Sequence, residues 1–113
     1  MAEKQCNLLK NGGGMDNIPV EVTTVTWQNS ASGSVWRTKH YVTVVIRYDF
    51  ASNQATLATG LPKPATQFYQ GVNGNGSIGV FNFNTDGTIV YGHQSGSNGA
   101  KMATVTYPLA KGE

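Results

Sequence analysis

A chain of 113 residues with eight Lys and Arg, six Asp and Glu and a formal charge of +2 has room for one domain and one small core. Charged residues make up only 12% of it, about half the usual share (roughly 25%), and the basic ones are scattered, which argues against the basic stripe that nucleic-acid binding needs. The one cysteine, Cys6, excludes an internal disulfide and a thiolate metal cluster, and no apolar run approaches the roughly 18 residues that insert into a membrane.

Residues 1–19 read as an N-terminal arm or linker. "MAEKQCNLLKNGGGM" lacks the apolar core of a signal peptide, and Gly12-Gly13-Gly14 frees the backbone after it. The expectation is a protein made in the cytoplasm that reaches an exposed site by assembly, not by secretion. From residue 20 to 113 the pattern has period two, and no segment carries helical spacing.

"VEVTTVTWQ" (20–28) predicts a strand from its β-branched residues, and "NSASGS" (29–34) a turn. "VWRTKHYVTVVIRYDF" (35–50) predicts one long strand or a strand pair. Within it Val42, Val44, Ile46, Tyr48 and Phe50 share one face, and Thr43, Val45, Arg47 and Asp49 the other. "ASNQ" turns the chain into a short strand, "ATLATG" (55–60). "LPKPA" (61–65) is a crossover stiffened by its prolines. "TQFYQGV" (66–72) and "SIGVFNF" (77–83) predict strands around "NGNG"; "TIVYGH" (88–93) and "MATVTYPL" (102–109) predict the last two, around the loop "QSGSNGAK". Short strands with a turn about every ten residues point to an all-β fold, a small antiparallel sandwich or barrel.

The hairpin "GVFNFNTDGTIVYGH" (79–93) has two registers available. A two-residue Asp86-Gly87 loop pairs Phe83 with Val90. A three-residue loop with Gly87 left-handed, as a G1 bulge, pairs Phe83 with Ile89 and Phe81 with Tyr91. The second keeps Phe81, Phe83, Ile89 and Tyr91 on one face and turns Asn82, Asn84 and Val90 outward, so it is the register expected. Those four side chains then read as core, and His93, opposite Gly79, as a capped core edge or a ligand contact.

Several motifs, taken in order, resemble a known family. "VWRTKHYVTVVIRYDF", "TLATGLPKPATQF", "FNFNTDGTIVYG" and "GAKMATVTYPLA" are similar in kind and spacing to the head domain of phage receptor-binding proteins and tail fibres, as in phages of Gram-positive bacteria. The likeness covers residues 27–110. "RTKHY" departs from it in lacking the glycine that often makes the turn before the valine strand. The resemblance implies a jelly-roll-like head that assembles as a homotrimer at a tail tip or baseplate. It also implies binding to host cell-wall saccharide, with other tail or baseplate proteins as further partners.

Catalytic chemistry is thin. Away from the terminal segments the carboxylates are Asp16, Glu21, Asp49 and Asp86. Asp86 belongs to its turn and Asp16 to the arm, so a glycosidase pair would need Glu21 and Asp49 to meet. His40, His93 and Asp49 lack metal-ligand spacing. The expectation is a non-catalytic protein without cofactor or metal; a purely structural virion component and a small carbohydrate-active enzyme are the alternatives. For saccharide binding the candidates are Trp36 with Arg37, Gln67 with Tyr69 on one strand face, and His93 with Gln94 and Asn98. Arg47 and Asp49 read as a cross-strand pair or a polar interface.

Overall fold

Alternation along the valine-rich segment becomes burial. Val42, Val44, Ile46 and Tyr48 are enclosed, while Tyr41, Val45 and Arg47 are exposed and Thr43 half-buried. A computed structural model describes residues 17–113; residues 1–16, most of the expected arm with Cys6 and the glycine run, lie outside them.

Two antiparallel sheets pack face to face, with no helix among the described residues. The first holds β1 (Val20–Glu21), β3 (Ser32–Arg37), β4 (Tyr41–Tyr48) and β9 (Lys101–Pro108), in the order β1-β3-β4-β9. The second holds β2 (Thr26–Trp27), β5 (Gln54–Thr59), β6 (Phe68–Gly74), β7 (Ser77–Phe83) and β8 (Ile89–Ser95), in the order β2-β5-β8-β7-β6. The expected all-β sandwich is present.

Several boundaries differ from the sequence expectation. Residues 20–28 form two short strands, β1 on one sheet and β2 on the other; β-branched composition favours extension and says nothing about which sheet a segment joins. β3 begins at Ser32, inside the expected turn. Gly33 makes this possible, because a side chain there would overlap the Val45 carbonyl and crowd the Trp27 ring. Residues 35–50 are a strand pair, with Arg37 opposite Val42. The missing turn glycine is compensated by Thr38, whose Oγ1 accepts the Tyr41 N–H at 3.3 Å. Phe50 lies past the end of β4 and is 43% exposed, although its ring still meets Tyr48 edge-on.

The β7–β8 hairpin has the G1-bulge register. Phe83 pairs with Ile89, Phe81 with Tyr91 and Gly79 with His93. Gly87 has φ +84°, and Asp86 accepts both the N–H and the hydroxyl of Thr88. Keeping the three rings and Ile89 together decided this, since all four side chains are almost wholly buried. Gly79 is a packing requirement, because a Cβ there would run into the Tyr91 ring.

Phe81→Ala is therefore expected to cost about 3–5 kcal/mol of stability, and Gly79→Ala to lower the denaturation midpoint in urea as well. Asn84→Ala, on the outer face of the same hairpin, is expected to cost under half as much as Phe81→Ala in the same measurement.

Candidate functional site

The outer face of the five-stranded sheet collects neutral polar side chains. β6 contributes Gln67, just before it, then Tyr69, Gly71 and Asn73; β7 contributes Val80 and Asn82, followed by Asn84. Pairing through β8 brings Gln54 and Thr56 of β5 onto the same face, opposite Gly92 and Val90. No strand position on this face carries a charged residue.

Tyr69 dominates it. It stands on the edge strand opposite Asn82, is 66% exposed, and its phenol makes no hydrogen bond to the described residues. Gln67 donates to the Asn84 side-chain oxygen at 2.9 Å, and Asn84 to the Thr88 hydroxyl at 3.0 Å. Asn82 donates to the Val90 carbonyl at 3.0 Å, which fixes its amide and leaves its oxygen available as an acceptor. Gly71 beside Tyr69 has open space where a side chain would stand, so the ring is approachable from that flank.

The other expected residues go elsewhere. Trp36 is on the outer face of the four-stranded sheet, between Glu21 and Thr43, and is 40% exposed. Arg37 sits at the end of the sandwich by the β3–β4 turn, where it donates to the carbonyl of Thr38 and to the main-chain oxygen of Glu113. Trp27 packs half-buried against the core.

His93, Gln94 and Asn98 are at the opposite end, where His93 and Asn98 hold up a loop. The Gly96 carbonyl can only accept, so His93 Nε2 donates to it at 2.9 Å, and Nδ1 accepts from the Tyr91 hydroxyl at 3.1 Å. Asn98 Oδ1 accepts the Ala51 N–H at 2.8 Å, and the Gly99 N–H donates to the Asp49 carbonyl at 2.9 Å. Both His93 nitrogens are thus engaged within the fold. Gln94 is exposed where the β7–β8 register shifts.

Lys101 completes that end. It has no exposed surface; its ammonium donates to Ser77 Oγ at 3.2 Å and the Gly99 carbonyl at 2.5 Å, and lies 5.3 Å and 5.6 Å from the Tyr91 and Tyr48 ring centroids. Burial pushes the ammonium below its ordinary value, against the opposing pull of Asp49. Burial also pushes the Tyr91 phenol up, while its hydrogen bond with Ser77 pulls it down.

Glu21 and Asp49 do not meet. Glu21 is level with Trp36 and Thr43, whereas Asp49 lies six residues beyond Thr43, roughly 20 Å at the rise of a strand. Asp49, just past the end of β4, is bound by Arg47 two residues earlier at 2.9 Å, so this pair runs along the chain and does not cross between strands. Among the described residues no three His, Cys, Asp or Glu gather as a metal site.

Sequence reasoning placed Gln67 and Tyr69 on one strand face and turned Asn82 and Asn84 outward, as the structure has them. It did not join these into one face, nor add Gln54 and Thr56, because the order of strands in the sheet leaves no mark on local alternation. Comparison of the chain with known protein families, curated proteins and solved structures finds no match.

Two outcomes test the loop-bearing end. His93→Ala removes the acceptor of the Tyr91 O–H and the side-chain donor to the Gly96 carbonyl and is expected to cost about 1–3 kcal/mol, with faster amide exchange at Gly99. For Lys101 the unfolded chain binds more protons wherever the folded value lies below the ordinary 10.5. Stability therefore rises with pH up to that value. Wild type should gain on Lys101→Met in urea unfolding as the pH is raised toward 10.5; a constant difference would mean that the charge is not penalised.

Proposed function

We propose that this chain is a non-catalytic saccharide-binding head domain of a phage tail, fibre or baseplate, and that a neutral sugar lies on the outer face of the five-stranded sheet. The observation that carries this is an exposed phenol set in an uncharged field of amides and hydroxyls. Amides and hydroxyls match sugar hydroxyls as donors and acceptors, and a ring can lie against the apolar face of a pyranose. The sequence likeness to phage receptor-binding heads supports a host cell-wall glycan as ligand, a virion location and a homotrimer. The separation of Glu21 from Asp49 supports recognition over hydrolysis.

A second reading, a structural virion component that binds only other phage proteins, is favoured by the other sheet. Trp36, Tyr41, Val45 and Met102 are all exposed on the outer face of the four-stranded sheet or at its margin. A concave patch beside Val45 and Met102 is lined by Ser32, Gly33 and Thr104. Apolar area of this kind suits contact with a second copy or a baseplate protein.

Tyr69→Ala is expected to weaken binding to purified host cell wall about tenfold, or ~1.4 kcal/mol, with an unchanged melting temperature. Release of reducing sugar by the wild type would overturn the non-catalytic reading. Light scattering is expected to find three copies, and Val45→Asp with Met102→Asp to dissociate them; a wild type that assembles in this way yet shows no binding to cell wall would favour the structural reading.

A further inference from the structure

The end of the sandwich opposite the His93 loop gathers most of the Lys and Arg of the described residues. Of the six Lys and Arg among the described residues, Arg47 is held by Asp49 and Lys101 is buried. The other four are Arg37, Lys39, Lys63 and Lys111, and all lie near the β3–β4 turn and the segment after β9. Arg37, Lys39 and Lys111, with His40, line a cleft of about 510 Å³ whose apolar wall is Tyr41, Pro108 and Leu109.

The cleft is built by the main chain. Leu109 donates to the His40 carbonyl and Ala110 to the Lys63 carbonyl. Gly112, at φ +91°, lets the segment fold back so that the Glu113 N–H reaches the Ala110 carbonyl at 3.1 Å. This turn brings Lys111 to the rim. Arg37 is oriented by its bonds to Thr38 and Glu113, which use two of its five N–H groups and leave three. Glu113 supplies the cleft's one side-chain carboxylate, and its Oε1 accepts the Lys63 N–H at 2.6 Å. Glu21 lines a neighbouring depression with Arg37 and Glu113, and Asp86 is engaged by Thr88.

We infer that this cleft binds an anionic sugar, a saccharide unit carrying a phosphate or a carboxylate. The anionic group sits among Arg37, Lys39 and Lys111, and the sugar body lies along Tyr41 and Pro108. Cations brought together repel one another, and an anion between them converts that repulsion into charge-assisted hydrogen bonds. The planar guanidinium, held from one side, presents a fork suited to two oxygens of one group. An apolar wall beside the charges distinguishes a sugar-borne anion from a bare one. Tyr69 lies on the other sheet, so this site does not rest on the neutral face.

Amide NMR of the full chain, titrated separately with glucose 1-phosphate, glucuronate, glucose and inorganic phosphate, tests it. The expected shifts centre on Tyr41 and residues 109–112, weaken with added salt, and follow glucose 1-phosphate and glucuronate. Lys39→Gln with Lys111→Gln is expected to weaken both about tenfold or more, whereas Tyr69→Ala leaves them unchanged. Glucose 1-phosphate binding no tighter than inorganic phosphate or glucose would overturn the proposal, as would affinity indifferent to the two lysines.

Discussion

The domain depends on tyrosines whose rings fill the core while their hydroxyls tie down the loops. Tyr48, Tyr91 and Tyr107 are buried between the sheets. Their hydroxyls reach Ser52, His93 and the Pro62 carbonyl. A buried ring supplies apolar area and a buried hydroxyl demands a partner, so each tyrosine couples hydrophobic packing to one loop conformation. Phe81 and Phe83 bring the second sheet onto this layer; Phe68 stacks on Phe83 with centroids 4.6 Å apart, and Tyr107 meets both. Every buried side-chain polar atom among the described residues has a partner, which leaves two ends and two outer faces on which to build function.

Charge divides these surfaces. The His93 end spends its ionisable groups on structure: Lys101 between two rings, and Asp49 on Arg47. The outer face of the five-stranded sheet has no charged side chain at a strand position, which suits hydroxyl-rich neutral ligands because there is no unpaired charge to desolvate. The remaining Lys and Arg of the described residues collect at the opposite end. An uncharged face with one exposed phenol and a cationic cleft with an apolar wall are different recognition chemistries, and one rigid sandwich can present both.

The hairpin at 79–93 shows how far local reasoning reaches. Only one register kept Phe81, Phe83, Ile89 and Tyr91 together, and that register also assigned Asn82 and Asn84 to solvent. His93 was harder to read. Its position opposite Gly79 was legible, but its role rests on the Gly96 carbonyl three residues later and on Tyr91, which only the folded loop brings to its two nitrogens. Residues 20–28 mark another limit, because extended segments of identical composition can join either sheet.

Alternation along β4, the Asp-Gly turn and the sparse charge were enough to determine an antiparallel β domain, its principal core side chains and the register of one hairpin. These properties depend on neighbours a few residues away, where side-chain direction follows from strand geometry. Tertiary structure alone decided which strands adjoin, and therefore that Gln54 and Thr56 share a face with Tyr69. It also decided that residues as distant in the chain as Arg37 and Lys111 line one cleft. Strand order is set by how two whole sheets bury their rings together, and no local stretch of sequence carries that information.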